Sequence, residues 1–201
     1  MGEFSVFDRS NQLILDTRRL LEGHARLVPV RARLLTLSGR EIALVEWTWR
    51  GTRFTVVRRA AITISWLGNG TIYVLLGALL FATVASSGHS IVVALAAMTV
   101  AHLFYPWIKL ACARQRPQAI RSTIVPLLPS LDLHSFPSGH VMTMTAAITP
   151  VLRYQPELWP QASVIWTLMA WSRMACGHHY LSDILAGALL GFAVAIPFMW
   201  L

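Results

Sequence analysis

"AITISWLGNGTIYVLLGALLFATVASSGHSIVVALAAMTVAHLFYPWI", spanning positions 61–108, contains no Asp, Glu, Lys or Arg. A helix needs about 20 apolar residues to cross the hydrocarbon core of a bilayer, so this stretch is long enough for two crossings. The whole chain agrees: 55% of its 201 residues are apolar and 13% are charged, against about 25% charged in a soluble domain. The sequence is that of an integral membrane protein.

Three further apolar segments follow, at about 137–152, 158–177 and 184–201. The first two are short for full crossings and carry ionisable residues at one end, which suits helices whose polar end lines a water-accessible cavity. Tryptophans 66, 107, 159, 166, 171 and 200 fall mostly near segment ends, as in an interfacial belt. The expected fold is an all-α polytopic bundle of about five transmembrane helices.

Positions 1–59 differ. Within 1–60 there are 11 arginines and 6 acids, whereas 61–201 holds 6 basic and 3 acidic side chains. "SGRE", Ser38 to Glu41, has capping-box spacing, and "IALVEWTWRGTRFTVVRR" behind it mixes apolar residues with arginine. That pattern predicts an amphipathic helix lying at the interface. The division is therefore a basic leader with its interfacial helix, 1–59, and a membrane domain, 60–201. A net charge of +8 beside membrane helices points to anionic headgroups; no nucleic-acid-binding motif accompanies it. Cys112 and Cys176 are too few for a disulfide framework and read as buried free thiols. The segment 1–25 lacks the apolar run of a signal peptide.

Three polar clusters interrupt the apolar pattern. "KLACARQRP" places Lys109 and Arg116 seven apart after the second segment; alone, such residues are snorkelling anchors. "FPSGH" opens a helix, whose unpaired N–H groups favour anions, with His140 in its first turn. "SRMACGHHYLSD" sets His179 and Asp183 four apart, on one face if helical. There a carboxylate can take the imidazole Nδ1–H, fix the tautomer and leave Nε2 free to attack. Arg173 offers a planar fork matched to phosphate oxygens. Ionisable groups in a membrane protein mark function, and three cations with two histidines describe a phosphoryl site rather than a metal cage.

The order and spacing of these residues resemble the three-part signature of the type 2 phosphatidic acid phosphatase superfamily, whose fold is shared with vanadate-dependent haloperoxidases. Lys109, Arg116 and Pro117 match its first part. Pro137, Ser138, Gly139 and His140 match the second; Ser172, Arg173, His179 and Asp183 match the third. The resemblance covers 109–183 and fills every position of the signature in order. It implies a lipid phosphatase with His179 as nucleophile, Asp183 orienting it, and His140 as general acid and base. It implies phosphate-binding roles for Lys109, Arg116, Ser138, Gly139 and Arg173, with no metal or other cofactor. A phosphorylated lipid would be the substrate, with membrane lipids as further partners and no nucleic acid; the oligomeric state is left open. Family members in membranes usually have six spans, so the segment near 39–59 stands in for the first.

His178 lies outside the pattern and reads as structural or substrate-facing. Arg114 and Arg121 are also extra: they could meet a second phosphate, but the plainer reading is solvated or lipid-facing. "GALLG" (187–191) has small-residue spacing for close helix packing, though such spacing arises often by chance. His24, His89, His102 and His134 receive no catalytic role. The competing function is a transporter or proton relay through His140, His179 and Asp183; a soluble haloperoxidase is opposed by the apolar segments, and a bis-histidine haem site by the cations. The positive-inside rule favours the cytoplasmic side of a bacterial inner membrane for the arginine-rich leader, and with it the polar clusters; the alternative, an external site, sets the leader outside against that rule.

Overall fold

The computed structural model describes residues 27–85 and 87–201. Positions 1–26 of the expected leader, with His24, lie outside the described residues. Seven helices account for most of the described chain: α1 (Val28–Gly51), α2 (Thr55–Leu67), α3 (Thr71–Thr83), α4 (Gly88–Cys112), α5 (Gly139–Tyr154), α6 (Trp159–Ala175) and α7 (Leu181–Ala195). A single helical turn, Pro117–Ile120, and two short 3₁₀ turns complete them, and the described residues contain no strand. The all-α bundle expected from the apolar segments is the fold observed.

α5 is the central helix. It packs along α7 and α4, with α6 on its remaining side, while α2 and α1 lie against α6. The α5–α7 contact is close because Gly187 and Gly191 face α5. A Cβ on Gly191 would be driven into the Met142 carbonyl oxygen, and one on Gly187 would stand 2.6 Å from that of Ser138. The small-residue spacing of "GALLG" therefore has a structural cause: these two positions admit no side chain.

By length and composition α4 and α7, each with the short turn that follows it, can cross a bilayer, as can α2 and α3 if they form one span bent by 75°. The uncharged run 61–108 thus contains a break that the hydropathy pattern hid. α5 and α6, with 16 and 17 residues, are roughly 24–26 Å long at 1.5 Å per residue, shorter than the hydrocarbon core. Trp66, Trp107, Trp159 and Trp200 are exposed on the bundle surface.

The N-terminal helix departs from the capping-box reading. α1 starts at Val28 with Pro29 in its first turn, so Ser38 and Glu41 lie in mid-helix. Ser38 Oγ donates to the Leu34 carbonyl, four residues back, and accepts from Arg114 Nε; Glu41 also binds Arg114. The S-x-x-E spacing serves a tertiary ion pair, not a helix start. α1 buries Leu34, Ile42 and Val45 against the bundle, and its Arg31 donates to the Ala111 carbonyl at the end of α4. The expected division between residues 59 and 60 falls inside α2. Both cysteines are buried and free.

Candidate active site

The polar clusters meet at one end of the bundle. α4 carries Lys109 in its last turn and stops at Cys112, where Ala113 takes a left-handed conformation (φ 49°). The chain then runs without helix as far as Pro117. Arg114 and Arg116 part along it, to different partners. Arg116 lines a cavity of about 320 Å³ together with Lys109, Gly139, His140, Arg173 and His179. Ser138 and Asp183 stand behind that wall, both fully buried. Ser138 caps α5, and its hydroxyl has no hydrogen-bond partner among the described residues, nor has Arg173 Nε.

Lys109 and Arg116 converge on a residue that the sequence did not single out. Lys109 Nζ and Arg116 Nη2 each donate to Asp132 Oδ1 at 2.9 Å. Lys109 also donates to the His134 carbonyl, and Arg116 to the His178 carbonyl. Burial alone would raise the Asp132 pKa, but Lys109 and Arg116 outweigh it and hold the carboxyl below its ordinary value. Arg173, in the last turn of α6, donates from Nη1 to the Ser65 hydroxyl of α2.

His179 is buried in the loop between α6 and α7. Its Nδ1–H donates to the Ser135 carbonyl at 2.7 Å, with Asp183 Oδ2 at 3.5 Å. The spacing of four led to the carboxylate as the acceptor; in the structure a backbone carbonyl is nearer. The reason is that the Asp183 oxygens are already engaged. Oδ2 accepts the Tyr180 N–H at 2.9 Å at the start of α7, and Oδ1 accepts from Arg114 Nη1 at 2.6 Å. With Nδ1 committed, Nε2 is the nitrogen left for the cavity. Burial, followed by the charges of Arg116 and Arg173, holds the imidazole pKa well below its usual value. The ring is neutral and its lone pair available.

Arg114 is neither solvated nor lipid-facing. It is buried, donates to Asp183, Ser182, Ser38 and Glu41, and stacks over Tyr180 at 4.1 Å. Glu41 in turn accepts from the Ser182 N–H and hydroxyl. The extra arginine thus joins α1 to the carboxylate beside His179, a correction to its reading as a surface charge. Arg121 pairs with Glu46 of α1 and is half exposed.

His140, in the first turn of α5, meets Asn69: Nε2–H donates to Asn69 Oδ1 at 2.8 Å. His178 points away from the cavity. Its Nε2–H donates to the Leu128 carbonyl, and burial, with Arg173 next, lowers its pKa to about 3. His102, given no role from the sequence, lines the cavity beside Tyr105. Asp132, Ser135, Asn69 and Ser65 all escaped the sequence reading. Of these only Asn69 carried a signal, as the middle of the turn-forming "GNG".

A family model matches part of the sequence, and solved structures share the fold. The model of the PAP2 superfamily matches residues 90–201. Two solved structures are similar. One, described as the first transmembrane PAP2 type phosphatidylglycerolphosphate phosphatase from Bacillus subtilis, has a TM-score of 0.64 at 21% identity, covering 90% of this chain and 94% of that one. The other, LpxE of Aquifex aeolicus, has a TM-score of 0.63 at 20% identity, covering 80% and 95%. A comparison with curated proteins gives no match. With more than half its length matched, and with the fold of these membrane proteins, the chain belongs to the PAP2 superfamily.

Proposed function

We propose that this protein is a metal-independent lipid phosphatase that hydrolyses a phosphate monoester or pyrophosphate through a phosphohistidine on His179. The observation that carries the reading is the single cavity shared by Lys109, Arg116, Arg173, His140 and His179. In the first step His179 Nε2 attacks phosphorus and the bond to the leaving oxygen breaks. The electron pair leaves with that oxygen, which takes a proton from His140. In the second step His140 removes a proton from water, whose oxygen attacks phosphorus. The N–P bond breaks and its pair returns to Nε2. Lys109, Arg116 and Arg173, with the Gly139 N–H, stabilise the equatorial oxygens, and the buried Ser138 hydroxyl stands behind them. The Ser135 carbonyl and Asp183 face the positive ring that forms.

The lipid class of the substrate is supported by a second cavity of about 500 Å³ between α3, α4, α5 and α6, lined mostly by apolar side chains. It shares Tyr73, Leu95 and Met98 with the polar one, so a phosphate and a hydrocarbon chain can be held side by side. Phosphatidylglycerol phosphate, phosphatidate, a polyprenyl pyrophosphate and a lipid A phosphate all have this form. Three side-chain cations already face the position of the phosphate, which supports charge stabilisation by the chain itself; a metal ion beside them would be repelled. The arginine-rich leader favours the cytoplasmic face of a bacterial inner membrane for this end of the bundle.

The test is phosphate release by protein purified in detergent micelles, with those four substrates and with chelator. Release should survive the chelator and fall at least about a thousandfold in His179→Ala. Activity unchanged in that variant, or abolished by chelator, overturns the mechanism.

A further inference from the structure

The break between α2 and α3 is a costly feature for a span. Interrupted backbone at membrane depth is tolerated where it lines a cavity, and Gly68, Asn69 and Gly70 all line the polar one. The turn is also shaped to fit His140. Gly70 has φ 137°, a conformation open to glycine and few others. A Cβ on Gly68 would stand 2.6 Å from His140 Cδ2 and 2.7 Å from Met169 Cε. These two glycines let the turn lie flat against the imidazole and set the Asn69 carboxamide on its Nε2 at 2.8 Å. Four residues earlier, Ser65 takes Arg173 Nη1. The broken span therefore reaches both a phosphate-binding cation and the acid–base histidine.

We infer that Asn69 is the positioning residue of His140, aligning its ring and holding its Nε2–H through both steps of the reaction. The inference rests on the phosphatase reading above, in which His140 gives up a proton and then takes one. The carboxamide oxygen accepts from Nε2–H, so that proton stays in place and the one given up and taken back moves at Nδ1. A carboxylate at the same place would favour the imidazolium, and an apolar residue would leave the ring free to turn. The charged and titratable groups around His140 are Lys109, Arg116, Arg173 and His178, with Asp132, His102, Tyr105, Tyr73 and His179 also lining the cavity. Among these neighbours the neutral amide adds no charge of its own to either step.

The experiment uses the full chain in detergent micelles with whichever of the four lipid phosphates wild type hydrolyses fastest. Asn69→Ala should lower kcat about ten- to a hundredfold, part of the ~10²–10⁴-fold that a positioned acid–base group supplies, with KM changed less than threefold. Asn69→Asp restores an acceptor with a negative charge and should move the limb of the kcat–pH profile that reports His140 to higher pH by about a unit or more. Should Asn69→Ala unfold, the Asp variant alone decides through its pH profile. Wild-type kcat in Asn69→Ala, or an Asp profile superposing on that of wild type, overturns the inference while leaving the phosphatase reading intact. Absence of His179-dependent release in wild type overturns both.

Discussion

Arg114→Met is the perturbation that best separates structure from chemistry at this site. Arg114 is 3% exposed and Asp183 is fully buried, and their 2.6 Å ion pair is supplemented by Glu41 at 3.0 Å. Methionine keeps much of the stem volume but strands Asp183 with the Tyr180 N–H as its nearest remaining donor, and leaves Glu41 with Ser182. Breaking a buried pair by removing one partner costs about 3–5 kcal/mol. For a chain of this size each kcal/mol moves Tm by roughly 2–4 °C, so the expected fall is about 6–20 °C. Phosphate release should fall as well, because Asp183 also anchors the Tyr180 N–H next to His179. The buried thiols of Cys112 and Cys176 allow unfolding to be followed with a thiol-reactive dye. Glu41→Gln added to Arg114→Met should recover part of the lost Tm by removing one stranded charge. Arg114→Lys should lie between, since it keeps the charge without the fork. A Tm within about 2 °C of wild type, less than one kcal/mol of change, with kcat unchanged, would refute the claim that this arginine holds the carboxylate.

Asp132→Asn leaves Lys109 and Arg116 without their shared carboxylate. Inorganic phosphate or vanadate should then inhibit about tenfold more tightly, equivalent to roughly 1.4 kcal/mol; equal or weaker inhibition counts against Asp132 as the anion's competitor. The pH dependence of stability follows from His178, whose pKa is lowered to about 3. Above the unfolded value near about 6.5 neither state is protonated and stability is full. As pH falls from there toward the folded value the unfolded chain takes up the proton first, so Tm should drop. His178→Gln should flatten that drop between about pH 6.5 and 4.5, and an unaltered slope would assign it to other groups.

That Lys109, Arg116, His140, Arg173 and His179 meet at one cavity was legible because they lie in three short segments whose spacing is kept whatever the helices do. The bundle was legible because hydropathy reads burial in lipid directly. What escaped depends on directions that composition does not encode. Arg114 and Arg116 look alike in sequence, and only the path of the non-helical chain between α4 and Pro117 sets one against Asp183 and the other into the cavity. Ser38 and Glu41 sit at cap spacing, but the same step of three also places two side chains on one helix face, here the face that meets Arg114. The partner of His179 Nδ1 is a main-chain carbonyl, which no residue type announces. Asp132 lies in a long loop, and its meeting with Lys109 is set by where that loop folds back. The 68–70 break was spelled out as Gly-Asn-Gly, yet a run without charges masked it.

The two ion networks also differ in sign, and the difference bears on the reaction. On the cavity side Lys109, Arg116 and Arg173 face a single carboxylate, Asp132, leaving two positive charges, the complement of a phosphate monoester dianion. Behind His179 the balance reverses, with Arg114 set between Asp183 and Glu41 and one negative charge in excess. An imidazole between these two fields is neutral at rest, as the depressed pKa of His179 requires. In the proposed mechanism it becomes cationic only when Nε2 bonds to phosphorus and the dianion offsets the cations in front. The negative field behind then acts on a charge that exists in the intermediate and not in the resting ring, which is the condition for accelerating a step rather than merely binding its substrate. If that mechanism holds, Glu41→Gln, on a helix outside the matched family region, should lower kcat through Arg114 with KM little changed, and an unchanged kcat would refute the coupling.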